Sequence, residues 1–425
     1  MVFQTFPSAY LALLLGVFVL ALIVGAVANK TNFCTMGAVS DVVNMQDWNR
    51  MRAWLLAIAV AMLGVALFEM GGLVNADQSS PPFRSGNFQW PAYLLGGFLF
   101  GIGMTLASGC GNKTLVRVGA GNAKSVVVML IMGTVAYFMI YPVPGLGSNL
   151  REFLFLSWMA PANIQLSHGQ DIGSILSGGK AGAQVRLLAA LLIGGGLLYF
   201  IFRNAQFRAD KEHMFGGTVI GLCVLGVWLV TSNVSVQDQF GGSDNYSLSA
   251  FVGQEWDFQM EPEDLRPAEA GLLRPQGLNF MGPTARTVGW GAQGFNPTLL
   301  NVGVMMVLGV IAGSLLWALL SRTFRFEWFA SARDVGNHVF GAVLMGLGGV
   351  LAMGCTFGQA ISGMSTLALG SALTFAAIVF GSALTMKIQL YLMVYEDEAT
   401  FADSLITALV DLRLLPAGLR KFDAI

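Results

Sequence analysis

Long apolar runs dominate the chain, and each is long enough or nearly long enough to cross a lipid bilayer. A helix needs about 20 residues to cross the hydrocarbon core. Runs of this kind lie at residues 8–28, 53–73, 92–110, 125–142, 185–202, 215–231, 298–320, 338–355 and 371–394. Short polar or glycine-containing segments separate most of them. The pattern predicts nine transmembrane helices, with the shortest runs rich in glycine.

Composition supports the same class of protein. Hydrophobic residues make up 55% of the chain and charged residues 11%, against roughly 25% charged residues in soluble domains. Mean hydropathy is +0.65. We therefore expect an all-α polytopic membrane protein in contact with the lipid bilayer, without a cofactor or a nucleic-acid partner. The first run lacks a basic flank and a small-residue cleavage site, so it is interpreted as a retained helix rather than a signal peptide.

Two stretches repeat each other at an offset of 245 residues, and each ends in a glycine-flanked cysteine. Residues 94–110 read LLGGFLFGIGMTLASGC, and residues 339–355 read VFGAVLMGLGGVLAMGC. Eight positions are identical, including the final Gly109-Cys110 and Gly354-Cys355 pairs. Duplicated halves that meet at a shared midplane site are a common plan of transporters. The repeat predicts that both thiols serve one site.

The distribution of lysine and arginine predicts the orientation. With the N-terminus outside, fifteen basic residues fall on inner segments and seven on outer segments, with Lys387 inside a span. This bias favours a periplasmic N-terminus and a cytoplasmic C-terminus. The two cysteine helices then run in opposite directions, which predicts an inverted-topology, hourglass-like repeat. The expected units are a first repeat at 1–142, a linking region with an outer loop at 143–214, a second repeat at 215–394 with a periplasmic insert at 232–297, and a cytoplasmic tail at 395–425.

The two outer connections, 143–184 and 232–297, are too long to be simple turns. The second is acidic and contains tryptophan, proline and glycine. Such loops are usually solvated, so we expect an outer cap without direct chemistry. An acidic cap would also repel an anion, so no entry site is placed on it.

The segments after the two glycine-flanked cysteines, GNKTLVRVGAGN and TFGQAISGMS, are too short and too polar to cross the membrane. We expect them to be re-entrant, because irregular backbone at membrane depth survives only inside protein or along a cavity. A half-helix restarting after each break would direct its free N–H groups at the thiol and favour an anion. Supporting residues are then expected at these positions: Gly109, Gly111, Lys113, Arg117, Gly354, Thr356, Gln359 and Ser362.

Cys34 stands in a third segment of this type, KTNFCTMGAVSD, directly after the first run. The alternative for all three cysteines is a packing role as small residues at tight helix crossings. Cys223 lies within the unbroken run VIGLCVLGVWLV, and we expect it to be a buried packing residue. No two cysteines have C-x-x-C spacing, so the sequence supports neither a zinc site nor a disulfide framework.

These three motifs resemble those of the YeeE/YedE family of bacterial sulfur-compound transporters. The similar phrases are FCTMGAVSD, GFLFGIGMTLASGCGNKTLVRVGAGN and AVLMGLGGVLAMGCTFGQAISG. The resemblance implies an inner-membrane importer of thiosulfate in which Cys34, Cys110 and Cys355 pass the anion through a constriction. It also implies a small TusA-like cytoplasmic sulfur carrier as a partner. Related members are linked to selenium compounds, so a selenium or other sulfur compound is the alternative substrate.

A neutral thiol suits this task because it offers a weak S–H donor without holding the ion, and a conducted ion must be able to leave each site. No lysine or arginine lies within two residues of the three cysteines. A membrane thiol oxidoreductase is another alternative; it needs a close thiol pair and preferably haem or quinone ligands. His338, at the start of the second repeat helix, is expected to cap that helix or lie at the membrane interface, with a proton relay as the alternative. Glu69 is either a proton-coupling acid or an interfacial side chain.

Overall fold

The computed structural model describes residues 1–179, 182–238, 245–257, 266–267, 269–395 and 399–423. Nine helices in these residues are long and apolar enough to cross a membrane, which confirms the number predicted from hydropathy. They are α1 (Phe6–Lys30), α3 (Asn49–Met70), α4 (Trp90–Leu106), α6 (Ala123–Ile140), α9 (Gly182–Phe202), α11 (Lys211–Asn233), α14 (Val302–Leu320), α15 (Ala332–Leu351) and α16 (Leu369–Val394).

Shorter elements fill the spaces between these helices. The short helices are α2 (Thr35–Met45), α5 (Gly111–Gly119), α7 (Ser157–Met159), α8 (Ile172–Ser177), α10 (Ala205–Ala209), α12 (Leu248–Ala250), α13 (Met281–Ala292) and α17 (Phe401–Asp411), with π-helical turns at Glu152–Leu156, Phe251–Glu255 and Phe357–Gly363. The strands are β1 (Val2–Phe3), β2 (Asn87–Phe88), β3 (Ile164–Gln165), β4 (Ser235–Gln237) and β5 (Asn245–Ser247). Strand β4 pairs parallel with β1 and antiparallel with β5, and β2 pairs antiparallel with β3.

The bundle has two ends, which we call the Lys30 end and the Trp90 end. At the Lys30 end, α1 terminates beside the beginning of α11, where the Lys30 ammonium lies 5.3 Å from the Phe215 ring. At the Trp90 end, Trp90 at the start of α4 donates to Ala162 O at 2.8 Å. Strand β4, which follows α11, pairs with the N-terminal strand β1. Helices α1 and α11 therefore run in opposite directions.

Glycines bring the spanning helices into backbone contact. A Cβ added at Gly96 would lie 2.8 Å from Gly348 O, and one at Gly103 would lie 2.6 Å from Gly341 O. Successive contacts have increasing residue numbers on α4 and decreasing residue numbers on α15, so these two helices are antiparallel. Small residues at a crossing permit such close approach. Helices α4 and α15 are the duplicated pair found in the sequence.

The segments after Cys110 and Cys355 lie inside the bundle, as the re-entrant expectation requires, whereas α2 after Cys34 is buried at its start and exposed at its end. Helix α5 contacts α14 at Gly119, where an added Cβ would lie 2.4 Å from Ile311 O. All seven residues of the π-helical turn Phe357–Gly363 are buried. Helix α2 packs on α3. Each of these segments begins next to a thiol and runs away from it.

The 232–297 segment, which was expected to form a cap, also contributes a helix to the bundle. Its last part forms α13, which packs on α6: a Cβ added at Gly133 would lie 3.2 Å from Thr284 O, and one at Gly289 would lie 2.5 Å from the Tyr137 ring. Sequence alone did not identify this helix, because its twelve residues include Arg286 and three glycines. Residues 239–244, 258–265 and 268 of the insert lie outside the described residues, as do 180–181 of the first connection and 396–398 and 424–425 of the tail.

The first outer connection is folded against the bundle through an ion-pair network. Arg186 Nε donates to Asp171 Oδ2 at 2.9 Å, and its guanidinium also pairs with Asp77 at 3.0 Å. Burial favours a raised pKa for Asp171, but hydrogen bonds from Arg186 and Ser174 outweigh it and the pKa is lowered. The carboxylate therefore stays ionised and holds the connection in place.

Candidate functional site

In each repeat the cysteine follows a backbone bend, and the two bends have the same conformation. Helix α4 ends at Leu106, Ser108 adopts a φ of 57°, and Cys110 caps the start of α5. Helix α15 ends at Leu351, and Met353 adopts a φ of 58° two residues before Cys355. A positive φ is uncommon for residues with a side chain. Both cysteines are completely buried.

The bend before Cys110 is held by cations from α5. Arg117 Nη1 donates to Ser108 O at 2.6 Å. A Cβ added at Gly109 would lie 3.2 Å from Lys113 Cγ, so the lysine stem folds over the same turn. The sequence spacing places Lys113 and Arg117 beyond the thiol, but the helix restarts at Gly111 and turns both side chains back toward it.

Cys34 occupies the N-cap position of α2. Its Sγ accepts a hydrogen bond from Gly37 N at 3.5 Å, and the side chain is 4% exposed. The preceding turn contains Asn32 with a φ of 48°, and the Asn32 side-chain oxygen accepts from the Lys113 ammonium. Lys113 therefore ties the turn before Cys34 to the helix that follows Cys110.

The three motif thiols lie together. Cys34 lies beside Cys110, because the next residue, Thr35, places its Oγ1 4.0 Å from Cys110 Sγ. A Cβ added at Gly111 would lie 3.7 Å from Cys355 Cβ, so the start of α5 touches the second thiol. Residues far apart in the chain thus meet at one buried point, as the repeat predicted for Cys110 and Cys355.

Aromatic rings surround this point. Phe33 stacks on Trp54 with ring centroids 4.5 Å apart, and the Phe357 ring meets Trp54 edge-on at 5.4 Å. The Phe280 ring also meets Phe357 edge-on, with ring centroids 5.3 Å apart. Phe33 and Phe357 stand within two residues of a thiol in sequence, whereas Trp54 comes from α3 and Phe280 from the chain before α13. Together these rings form an apolar cluster beside the thiols.

Helix starts supply polar donors within this apolar shell. Helices α2 and α5 begin directly after Cys34 and Cys110, and the helical segment that contains the π turn begins directly after Cys355. The first N–H groups of a helix have no partner within it, and its N-terminal end carries a partial positive charge. Three such starts meet at the thiols. The arrangement can bind an anion with thiol and amide donors alone.

Gln359 and Thr356, predicted as supporting residues, lie in the second half of the site. The Gln359 amide donates to Ala352 O, which ties the π-helical turn to the end of α15. Thr356 is completely buried directly after Cys355. Ser362 Oγ donates to Leu278 O at 2.7 Å and so contacts the chain that leads into α13. No lysine or arginine stands at the positions of this half that match Lys113 and Arg117, which are Gly358 and Ser362.

The remaining sequence candidates lie elsewhere. Cys223 is buried within α11, as expected, and packs in the hydrophobic core. Glu69 is in a salt bridge: its carboxylate accepts two hydrogen bonds from Arg84, at 2.6 and 2.8 Å. His338 Nδ1 lies 2.8 Å from Asp334 O within the first turns of α15. None of these three side chains is in contact with a motif thiol in the described residues.

Asn279 is a site residue that the sequence did not single out. Its Oδ1 accepts from Cys355 N at 3.4 Å, and its Nδ2 donates to Met353 O at 3.4 Å. One signal could have found it: the repeat offset of 245 residues that matches Cys110 with Cys355 also matches Cys34 with Asn279. The change from cysteine to asparagine hid the correspondence.

Comparison with known proteins identifies the family of the chain. Residues 30–384 match a family model described as sulphur transport. The chain is 25% identical over 348 residues to the thiosulfate transporter TsuA of Escherichia coli strain K12, covering 80% of this chain and 84% of the relative. It is 24% identical over 366 residues to the thiosulfate transporter TsuA of Spirochaeta thermophila, covering 84% and 93%. With its three cysteine motifs inside the matched region, the chain belongs to the sulphur transport (YeeE/YedE) family.

Proposed function

We propose that the chain imports thiosulfate and that the ion passes Cys355, Cys110 and Cys34 in turn. The observation that carries the proposal is the meeting of three buried thiols, each at the start of a short helix. Two relatives that align over most of their length are thiosulfate transporters. An oxyanion with a terminal sulfur can accept hydrogen bonds from both S–H and N–H groups.

The donors at the constriction are weak and neutral, and this favours transport over tight binding. A conducted ion must be able to leave each site as well as enter it. Cys110 and Cys355 are 0% exposed, so the path is closed between them in this conformation.

The charges are placed on one side of the constriction. Lys113 and Arg117 lie beside Cys34 and Cys110, whereas the Cys355 half has neutral Gly358 and Ser362 at the matching positions. Basic residues concentrate at the Lys30 end, and the positive-inside rule then makes that end cytoplasmic. An anion would pass from the neutral half toward the positive half, which is the direction of import into a bacterial cytoplasm across the inner membrane.

The antiparallel contact of α4 and α15 supports an inverted-topology repeat. The bends at Ser108 and Met353, the buried cysteines and the helix starts that follow them are equivalent features of two oppositely directed halves. Such repeats place the substrate site at their interface. A small TusA-like sulfur carrier would receive the ion at the cytoplasmic face, where the exposed basic residues suit an acidic partner.

Uptake of sulfur-35 thiosulfate by cells that lack their own thiosulfate uptake tests the proposal. Cys34→Ala, Cys110→Ala and Cys355→Ala should each lower uptake at least tenfold at equal membrane expression, while Cys223→Ala, a buried cysteine outside the site, retains it. Excess unlabelled selenite should compete weakly; complete competition would favour a selenium substrate. Full uptake by the Cys110→Ala or Cys355→Ala protein would overturn the thiol path.

The closeness of Cys34 and Cys110 favours one second candidate, a membrane thiol oxidoreductase. Such an enzyme would cycle this pair between dithiol and disulfide and would need an external electron acceptor. Mass spectrometry of protein from cells taking up thiosulfate separates the two functions. Transport leaves both thiols reduced throughout, whereas a disulfide that forms and disappears with turnover would support the oxidoreductase.

A further inference from the structure

The bends before the two repeat thiols are held by different side chains. In the first repeat, Ser108 O accepts from Arg117 Nη1 at 2.6 Å. In the second repeat, the equivalent carbonyl of Met353 accepts from Asn279 Nδ2 at 3.4 Å. A neutral amide therefore holds the bend in the second half, where a guanidinium holds it in the first. Asn279 comes from a distant part of the chain, 76 residues before Cys355.

The position of Asn279 corresponds to that of Cys34. Cys34 also precedes its partner thiol, Cys110, by 76 residues, the separation that the Asn279–Cys355 contact shows. Each residue is followed at the same distance by a Met-Gly pair, which is Met36-Gly37 in one case and Met281-Gly282 in the other. The correspondence therefore holds for neighbouring residues and for long-range spacing.

The local structures agree as well. Cys34 Sγ accepts from Gly37 N at the start of α2, and Asn279 Oδ1 accepts from Met281 N, at 3.2 Å, at the start of α13. Helix α2 then runs to the Lys30 end, and α13 runs to the Trp90 end, where Gly289 lies against Tyr137. The two residues thus begin equivalent short helices on opposite sides of the constriction.

Asn279 is packed directly against the start of the Cys355 helix. A Cβ added at Gly358 would lie 2.7 Å from Asn279 Oδ1, and one at Gly354 would lie 3.5 Å from Asn279 Nδ2. The side chain is 9% exposed. An amide has two N–H donors, and the bond to Met353 O uses one of them. The other remains for an ion that approaches the Cys355 thiol.

We propose that Asn279 is the fourth contact of the anion path, standing on the Trp90 side of Cys355 as Cys34 stands on the Lys30 side of Cys110. This inference rests on the proposed function. The amide donates a hydrogen bond to the oxyanion as it enters, and the ion then moves to the Cys355 thiol. A neutral donor here keeps the entry half free of strong binding, so the ion continues toward the positively charged half. The path is then Asn279, Cys355, Cys110 and Cys34.

Reaction of Cys355 with charged thiol reagents tests the inference without any need for thiosulfate transport. The background protein keeps Cys355 and carries serine in place of the other three cysteines. Anionic 2-sulfonatoethyl methanethiosulfonate and its cationic trimethylammonium analogue are applied from the Trp90 side. Both reagents reach Cys355 only when the path opens. The ratio of their reaction rates with Cys355 therefore reports the charge along the path and does not depend on a general change in structure.

Asn279→Asp adds one negative charge with almost no change in shape. We expect it to lower the anionic-to-cationic rate ratio by about tenfold or more, since like charges a few Å apart in a buried site repel strongly. Asn75→Asp is the matched control: it makes the same substitution at an exposed cap position and should leave the ratio unchanged. An unchanged ratio for Asn279→Asp would place Asn279 off the path.

Uptake of sulfur-35 thiosulfate by further variants covers the case in which the aspartate protein folds poorly. Asn279→Cys gives the second repeat a thiol where the first repeat has Cys34, and this variant should retain at least half of the uptake. Asn279→Leu has no donor, and its uptake should fall at least tenfold. Full uptake by Asn279→Leu would overturn the inference. A shifted reagent ratio together with no thiosulfate uptake by the unmodified protein would instead refute the substrate and leave Asn279 on an anion path.

Discussion

Gly103 of α4 lies against Gly341 of α15 so closely that neither position has room for a Cβ. An atom added at Gly341 would be 2.6 Å from Gly103 O, and one added at Gly103 would be 2.6 Å from Gly341 O. Both helices end at a thiol-bearing bend. The closeness of this crossing therefore sets the distance between the Cys110 and Cys355 halves of the site.

Gly341→Ala should destabilise the protein, because the new methyl group meets backbone that cannot rotate away. Overpacking of this kind costs roughly 1–3 kcal/mol of the free energy of unfolding. Gly336→Ala on the same helix, where an added Cβ has nothing within 4 Å, should be neutral or stabilising by up to about 1 kcal/mol. Thermal unfolding in detergent measures both. Equal midpoints for the two variants would contradict the close crossing.

Glu69→Gln should lower the free energy of unfolding and leave the pH dependence of uptake unchanged. The Glu69 and Arg84 side chains are only 7% and 3% exposed, and Arg84 also donates to Thr366 O at the end of the Cys355 segment. Removing one partner of a buried ion pair costs about 3–5 kcal/mol, since the other charge stays buried. Thermal unfolding should show this loss.

The double variant Glu69→Leu with Arg84→Leu provides the control for this prediction. It removes both charges and should recover part of the lost stability, because well-packed apolar residues often replace a buried pair at little cost. Uptake measured from pH 5.5 to 8.0 then separates the two roles of Glu69. A pH profile that flattens in Glu69→Gln at normal expression would make Glu69 a proton-coupling acid.

The sequence predicted the parts of this fold that depend on hydropathy and on the repeat. The nine spanning helices follow from apolar length, and the meeting of Cys110 with Cys355 follows from the duplicated glycine pattern. The re-entrant helices after the cysteines were predictable because the next segment is too short to cross, although the bends themselves lie at Ser108 and Met353 rather than at the glycines. The helices follow from local sequence, and the meeting of the two distant cysteines follows from the repeat of one pattern.

Features that depend on contacts between distant residues were not predictable. Helix α13 is short and contains Arg286, so its sequence is typical of a loop, and only packing on α6 makes it part of the bundle. The pairing of Glu69 with Arg84 joins a span to the turn between α3 and α4. Asn279 was missed because its role comes from contact with Cys355, while its residue type differs from that of Cys34.

The topology gives a prediction that labelling can test. If the Trp90 end is periplasmic, Asp257→Cys, at a residue whose side chain is 82% exposed, should react with a membrane-impermeant maleimide in intact spheroplasts. Ser321→Cys, at an exposed residue after α14 near the Lys30 end, is the matched site and should react only after lysis. The labelling is done in a background without the native cysteines. The reverse pattern would show the opposite orientation and would reverse the proposed direction of transport.

Lys113 and Arg117 provide the last prediction, because the structure gives them two roles that can be separated. Arg117 holds the Ser108 bend and Lys113 holds the Asn32 turn, and both place positive charge beside the thiols. Lys113→Gln combined with Arg117→Gln should lower uptake at limiting thiosulfate by about tenfold. The remaining uptake should depend less on salt, since the field that these half-buried charges extend into solvent is screened over about 10 Å at 0.1 M ionic strength.

Saturating substrate distinguishes the charge effect from the loss of the hydrogen bonds. If the cations mainly attract the anion, uptake by the double variant should recover to within about twofold at high thiosulfate, whereas Cys110→Ala should stay inactive there. Lys124→Gln, which removes another cation at the Lys30 end that pairs with Asp334 at 2.9 Å, controls for net charge and should change little. Unchanged uptake at low substrate in the double variant would leave Lys113 and Arg117 with structural and topological roles alone, because attraction of the anion would then come from the helix starts.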